Sequence, residues 1–203
     1  MRHGLFLMLL ATPGIALAWT PGKPYWMVSA GYVESDFDKS KTGDLVTDVK
    51  GGAIAQLGIG IPVDEFVSFE LNYMHLAKQK VESRGFTDQG FYDGEAEYVS
   101  NGIGPAVVLR YPLIERVHLL LRGDYTYFKT DLDSKFTMDG TPYSGSLDDS
   151  AWQAGFGLGA EYAVDADTSV KGMWQQFRFD NKVGGQNLRH DENIFTLGLM
   201  RSF

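Results

Sequence analysis

Eight stretches of this chain alternate apolar with polar or small side chains at a period of two, the spacing of an extended strand whose faces meet different environments. In the last, 193–203, Phe195, Leu197, Leu199 and Phe203 fall on one side and Thr196, Gly198, Met200 and Ser202 on the other. The stretch 25–36 sets Trp26, Val28, Ala30 and Tyr32 against Met27, Ser29 and Gly31, and 52–62 sets Leu57, Ile59 and Ile61 against Gln56, Gly58 and Gly60. The stretches 66–80, 96–112, 117–132, 150–163 and 168–179 repeat the pattern.

The links between these stretches alternate in length. Strands two and three are joined across 62–65, four and five across 112–116, six and seven across 165–167, all tight turns. The other links, roughly 37–51, 81–95, 133–149 and 180–192, are rich in Gly, Asp and Lys and read as long loops. Strict alternation of short and long links places every short turn and both strand termini at one end of an antiparallel bundle.

At the amino end Arg2 and His3 precede an apolar run interrupted by Pro13 and Gly14 and closed by Ala16-Leu17-Ala18, an A-x-A cleavage pattern. This reads as a secretory signal peptide over 1–18, followed by one domain over 19–203. Arg2 is the only basic residue of that leader, so the 18 basic residues fall to 17 against 26 acidic ones, a net of −9. Such acidity argues against nucleic acid as a partner. There is no cysteine, hence neither disulfides nor thiolate metal sites. No later stretch approaches eighteen apolar residues, so membrane crossing by a helix is not expected.

Eight alternating strands, asymmetric links and an aromatic terminus resemble the small eight-stranded outer-membrane β-barrels, the OmpA transmembrane domain and the OmpX/Ail group. That resemblance implies an all-β, up-and-down transmembrane barrel with short periplasmic turns and long extracellular loops in the cell outer membrane. Its physical sense is that lipid cannot satisfy an open strand edge, so the sheet must close. It further implies that Phe203 is part of the signal read by the barrel-assembly machinery. An aromatic girdle follows: Tyr25, Trp26, Phe66, Tyr111, Tyr162 and Phe203 toward the short-turn end, Tyr73, Tyr125, Tyr127, Trp152 and Trp174 toward the loops. A soluble lipocalin-like barrel would need a charged outer face, whereas the polar face here is mostly Gly, Ser, Gln and Thr. Pro105 falls within strand four and predicts a local bulge.

By parity the lumen holds Glu70, Asp124 and Glu161 against Arg110, Arg122 and Lys171, a balance that predicts ion pairing in a confined space. A turn centred on Ala166 sets Glu161 opposite Lys171, and one centred near Asp64 sets Glu70 opposite Gly58, free to reach Arg122. Some barrels of this size modify lipid A, and a His/Ser pair would be their machinery. Here His75 falls on the apolar face and Ser100 on the inner one, His118 falls in the lumen opposite Arg110, and His190 falls in a loop. No catalytic constellation results, and the chain reads as a non-enzyme. Asp131 with Asp133, or Asp148 with Asp149, has the oxygen chemistry of a Ca²⁺ site but lacks its loop spacing, so neither a metal site nor a cofactor is expected.

Two functions fit. One is a structural or adhesive barrel, a monomer whose loops contact a host surface, matrix or lipopolysaccharide, with Lys39, Lys41, Lys78, Lys80 and Arg84 meeting lipopolysaccharide phosphates. The other is a narrow passage for small solutes, as in OmpW-type barrels. An inward set that is polar and charged favours the first.

Overall fold

The computed structural model describes residues 22–37, 46–87, 90–183 and 186–203. The leader, Lys39 and Lys41 lie outside the described residues. Nine strands follow in chain order: β1 (Tyr25–Phe37), β2 (Val46–Lys50), β3 (Gly52–Pro62), β4 (Val67–Thr87), β5 (Gly90–Ile114), β6 (Val117–Met138), β7 (Thr141–Ala163), β8 (Thr168–Val183) and β9 (Gln186–Ser202). β2 and β3 are two halves of one wall strand, since both pair with β4 and only Gly51 separates them. A Cβ at Gly51 would lie 2.2 Å from both the Tyr32 hydroxyl and the Val33 carbonyl oxygen, so the break admits no side chain.

With β2 and β3 taken as one, every strand pairs antiparallel with its neighbour in sequence, and β1 pairs with β9 from Tyr25↔Ser202 to Phe37↔His190, which closes the ring. The result is an eight-stranded up-and-down barrel. Closure gives the backbone groups of the wall a partner on either side, the condition for crossing lipid with strands. Side chains then sort by parity. Leu57, Ile59, Leu71, Leu121, Leu158, Leu197 and Leu199 stand on the outer face, exposed to what in a membrane is hydrocarbon. Glu70, Asn72, Arg122, Thr126, Gln175 and Thr196 are buried inside.

Two of the three tight turns share a device. Asp64 Oδ1 accepts the backbone N–H groups of Phe66 and Val67 at 2.8 and 2.7 Å, and Asp165 Oδ1 accepts those of Asp167 and Thr168 at 2.9 and 2.8 Å. Each carboxylate thereby satisfies two donors that the turn leaves free of the ladder.

The opposite end departs from expectation. Where they are described, the segments read as long loops are continuations of the strands: β5 runs 25 residues and β7 23, where about 9–11 suffice to cross a bilayer. β6 turns into β7 through Asp139 and Gly140 alone, at φ 47° and 80°. Such a two-residue Asp-Gly turn matches strand twist and favours a hairpin. His190 likewise lies in a strand, paired with Phe37 and Phe179, and not in a loop. Beyond the wall both faces meet water, so alternation of polarity fades while the backbone ladder continues.

Pro105 makes no bulge. It pairs in register with Leu71, and the β5–β6 register is unchanged from Ile103↔Tyr127 to Ala106↔Asp124, with pairing merely skipped where the N–H is missing. The irregularities occur instead between Leu76 and Gln79 on β4 and between Pro112 and Ile114 on β5. The first inverts parity, so that Gln79 is buried where odd residues lower on the strand face out.

Candidate functional site

Two features stand apart from the wall: what fills the lumen, and what rises above it. The lumen is filled in layers. Toward the short turns, Glu70 on β4 gathers Arg122 of β6, Lys171 of β8 and Tyr25 of β1. Its carboxylate bonds Arg122 Nη1, Lys171 Nζ at 3.0 Å and the Tyr25 hydroxyl at 2.7 Å. Arg122 Nε also donates to both Asp124 oxygens at 2.8 and 2.9 Å. Arg110 donates through Nε to Glu161 at 2.9 Å. All six charges named by parity lie in this cluster, three of each sign, nearly or fully removed from solvent.

The pairing differs from what register suggests. Glu161 does oppose Lys171 on adjacent strands, yet Lys171 bonds Glu70 and Glu161 bonds Arg110. Glu70 opposes Gly60, not Gly58, because the β3–β4 turn centres one residue later. Tyr25 is not a girdle residue: it shares the parity of Met27 and is 2 % exposed, inside the lumen. His118 opposes Pro112 and Glu161, and Leu120 opposes Arg110.

Above the charges, the lumen is not polar as expected. Val33, Ile54, Met74, Leu76, Phe128, Phe177, Phe179 and Ile194 form one buried apolar cluster. Phe128 sits edge-on to Phe177 and Phe179, at ring distances of 5.2 and 5.1 Å. Over it, the Ser35 hydroxyl bonds Gln79 at 2.8 Å and the Tyr98 hydroxyl at 2.9 Å, with Glu192 buried beside Gln79. The inward parity of Phe128, Phe177 and Ile194 was the available signal for this layer. Glu192 carried none, since it stood beyond the apparent end of alternation.

The other girdle residues stand outward. Trp26, Tyr111, Tyr162, Phe66 and Phe203 lie at the short-turn end, where the Phe203 N–H donates to the Pro24 carbonyl at 3.0 Å. Toward the other end Tyr125 stacks on Trp152 at 4.9 Å, and Tyr127 leans on the same ring. Tyr73 donates to Asn101 Oδ1 at 2.8 Å, and Trp174 Nε1 to Asn193 Oδ1 at 3.2 Å. Indoles and phenols with polar tips so directed suit a lipid–water boundary.

Above that boundary β2, β4, β5, β6 and β7 continue as a protruding sheet. Its outer face carries cross-strand ion pairs: Lys50 with Glu82 at 2.7 Å, Lys80 with Glu95 at 2.8 Å and Glu97 at 3.0 Å, Arg84 with Asp93 at 2.9 Å, and Lys78 with Glu97. The Lys78 and Lys80 ammonium groups hold the Glu97 carboxyl down at about 2. Lys50 likewise holds Glu82 below the usual carboxylate range. A groove of about 1040 Å³ runs along this sheet past Glu82, Arg84, Asp93, Glu95 and Lys135. The inner face carries a stack of Tyr92, Phe136 and Tyr143.

Catalytic pairs are not assembled by the candidate residues. His75 faces outward and bonds Asn101 at 2.9 Å, while Ser100 faces inward and bonds Thr130 at 2.8 Å. Asp131 pairs with Lys129 at 3.6 Å, and Asp149 accepts the Ser150 N–H. Among the described residues no group of three His, Cys, Asp or Glu could hold a metal ion, and no helix is long and apolar enough to cross a membrane.

A closed ring of antiparallel strands with an apolar outside, a polar-tipped aromatic belt and a filled lumen is the architecture of an outer-membrane barrel. The sequence matches the outer membrane protein beta-barrel domain family over residues 4–203, and the chain belongs to that family. It is a protein of the Gram-negative outer membrane, so its short turns face the periplasm and its protruding sheet the exterior. No curated protein sequence matches it. Among solved structures it is similar to Neisserial surface protein A (10 % identity, 91 % of this chain and 99 % of that one, TM-score 0.59). It is also similar to OprG of Pseudomonas aeruginosa (11 %, 89 % and 96 %, 0.55) and to the N-terminal barrel of OprF from the same organism (10 %, 91 % and 100 %, 0.51).

Proposed function

We propose that this barrel is a surface recognition protein, neither an enzyme nor a solute channel, and that its protruding sheet contacts a host surface, matrix or lipopolysaccharide. The observation that carries this reading is the filled lumen beneath an elongated sheet. An ionic cluster and an apolar layer occupy successive levels of a barrel whose eight-stranded bore is only wide enough for side chains. Chain length is instead invested outside the membrane, in a rigid platform of hydrogen-bonded strands. Lipopolysaccharide phosphates would meet Lys78, Lys80 and Arg84 at the foot of that platform, where each cation already has a carboxylate partner. A phosphate there must compete with Glu97, Glu95 or Asp93, or recruit a divalent cation. Shortening the hairpins at 81–95 and 131–150 tests the reading: binding of displaying cells to matrix or host surfaces should fall while assembled barrel is retained. Unchanged binding would refute it.

A further inference from the structure

The protruding sheet ends in an open edge. β8 reaches β7 only from Gly155↔Phe177 downward, so among the described residues Thr141 to Ala154 has β6 on one side and no strand on the other. All ten residues from Thr141 to Ser150 are exposed. The two-residue turn makes Met138 and Thr141 the pair that exchanges both backbone hydrogen bonds, so odd residues of β7 bond β6 while even ones turn N–H and C=O to the open side. Two of those even positions, Pro142 and Ser150, are blocked and bound a run of three between them. Pro142 has no N–H, and the Ser150 N–H is taken by Asp149 Oδ1 at 2.8 Å. Ser144, Ser146 and Asp148 remain, a docking edge of about five residues with its ends defined.

We infer that this edge binds an extended polypeptide segment by strand addition, and that the segment alternates basic with apolar side chains around a large central apolar residue. The inference rests on the recognition reading above and names its partner. The two faces of the edge set the pattern. On the inner face Tyr143 and Leu147 are half exposed, and Gly145 between them leaves a notch: a Cβ built there meets only Ser134 Oγ, at 3.6 Å. An apolar side chain of the added strand fills that notch with Tyr143 and Leu147 on its flanks. On the outer face Asp148 lies opposite Asp131 with Asp133 next along β6, and Lys129 and Lys135 are the only cations between Phe128 and Ser150. Cationic side chains on the added strand offset that excess, and like charges directly opposite across strands favour such a counter-charge. Main-chain bonds supply affinity and alternate pockets supply selectivity, as in strand addition generally.

The test uses the full-length protein in lipid nanodiscs and a fluorescent peptide, Lys-Val-Lys-Phe-Lys-Val-Lys. Saturable binding is expected, weakened about tenfold or more by S146P, which removes an open-edge N–H without touching the β6 ladder, and by G145V, which fills the notch. Retained heat-modifiable migration shows that each variant is folded. Equal binding of a shuffled peptide, or of one with Glu in place of Lys, overturns the inference, as does S146P binding like wild type. On cells, adhesion lost on hairpin shortening but kept in S146P would refute the edge and leave the recognition reading standing. Adhesion kept in both would refute both.

Discussion

Lys171 and Glu161 face each other in register on β7 and β8, yet the Lys171 ammonium bonds Glu70, 3.0 Å away on β4. In the ring of eight, β4 and β8 are diametrically opposed, so this contact spans the bore. A neighbouring pair would leave both charges against the wall; the crossed arrangement lets Glu70 serve two cations and a phenol while Arg110 neutralises Glu161. Lys171→Ala should therefore cost about 3–5 kcal/mol, read from urea unfolding in liposomes, because it removes one partner from a buried cluster. A double-mutant cycle locates the loss. Coupling of Lys171 with Glu70 should be about 1–3 kcal/mol, and with Glu161 below about 0.5.

Phe177 is fully buried in the apolar layer and contacts Phe128 edge-on. Phe177→Ala should destabilise by about 3–5 kcal/mol through the cavity it leaves. It should nevertheless leave planar bilayers without steady conductance, since the ionic cluster below remains intact. Large, steady single-channel currents from the wild-type protein would contradict closure of the lumen.

Acid should loosen the protruding sheet before the wall. The Glu97 carboxyl, at about 2 against an ordinary 4.5, and Glu82, also lowered, contribute stability that is present above about pH 4.5 and lost as pH falls toward 2. Hydrogen exchange in the upper β4–β5 hairpin should accelerate across that window while β1 and β9 amides stay protected. Lys78→Gln, which removes one cation from Glu97, should move the onset to higher pH.

Phe203 stands exposed at the periplasmic end, its backbone N–H donating to the Pro24 carbonyl. Replacing it with Asp should lower the amount of heat-modifiable, membrane-assembled protein while export continues, as a recognition signal requires. Loss of stability in vitro equal to the loss in cells would instead make Phe203 a structural residue.

Period-two alternation by itself determined the wall: eight strands, the short turns, the outward Leu and Ile, and the six lumen charges, because a strand's parity leaves each side chain only two faces. Phe128, Phe177 and Ile194 were legible on the same rule. Tyr25 was misplaced when its aromatic ring was weighed above its parity. What only the tertiary structure decided depends on distances between strands far apart in sequence. Which carboxylate takes which cation is set by the diameter of the closed ring, beyond any neighbouring register. The protruding sheet was hidden because alternation records a contrast between lipid and lumen, and above the membrane that contrast ends while the hydrogen-bond ladder does not. The open edge of β7 arises where β8 parts from it, a divergence that no pattern within either strand encodes.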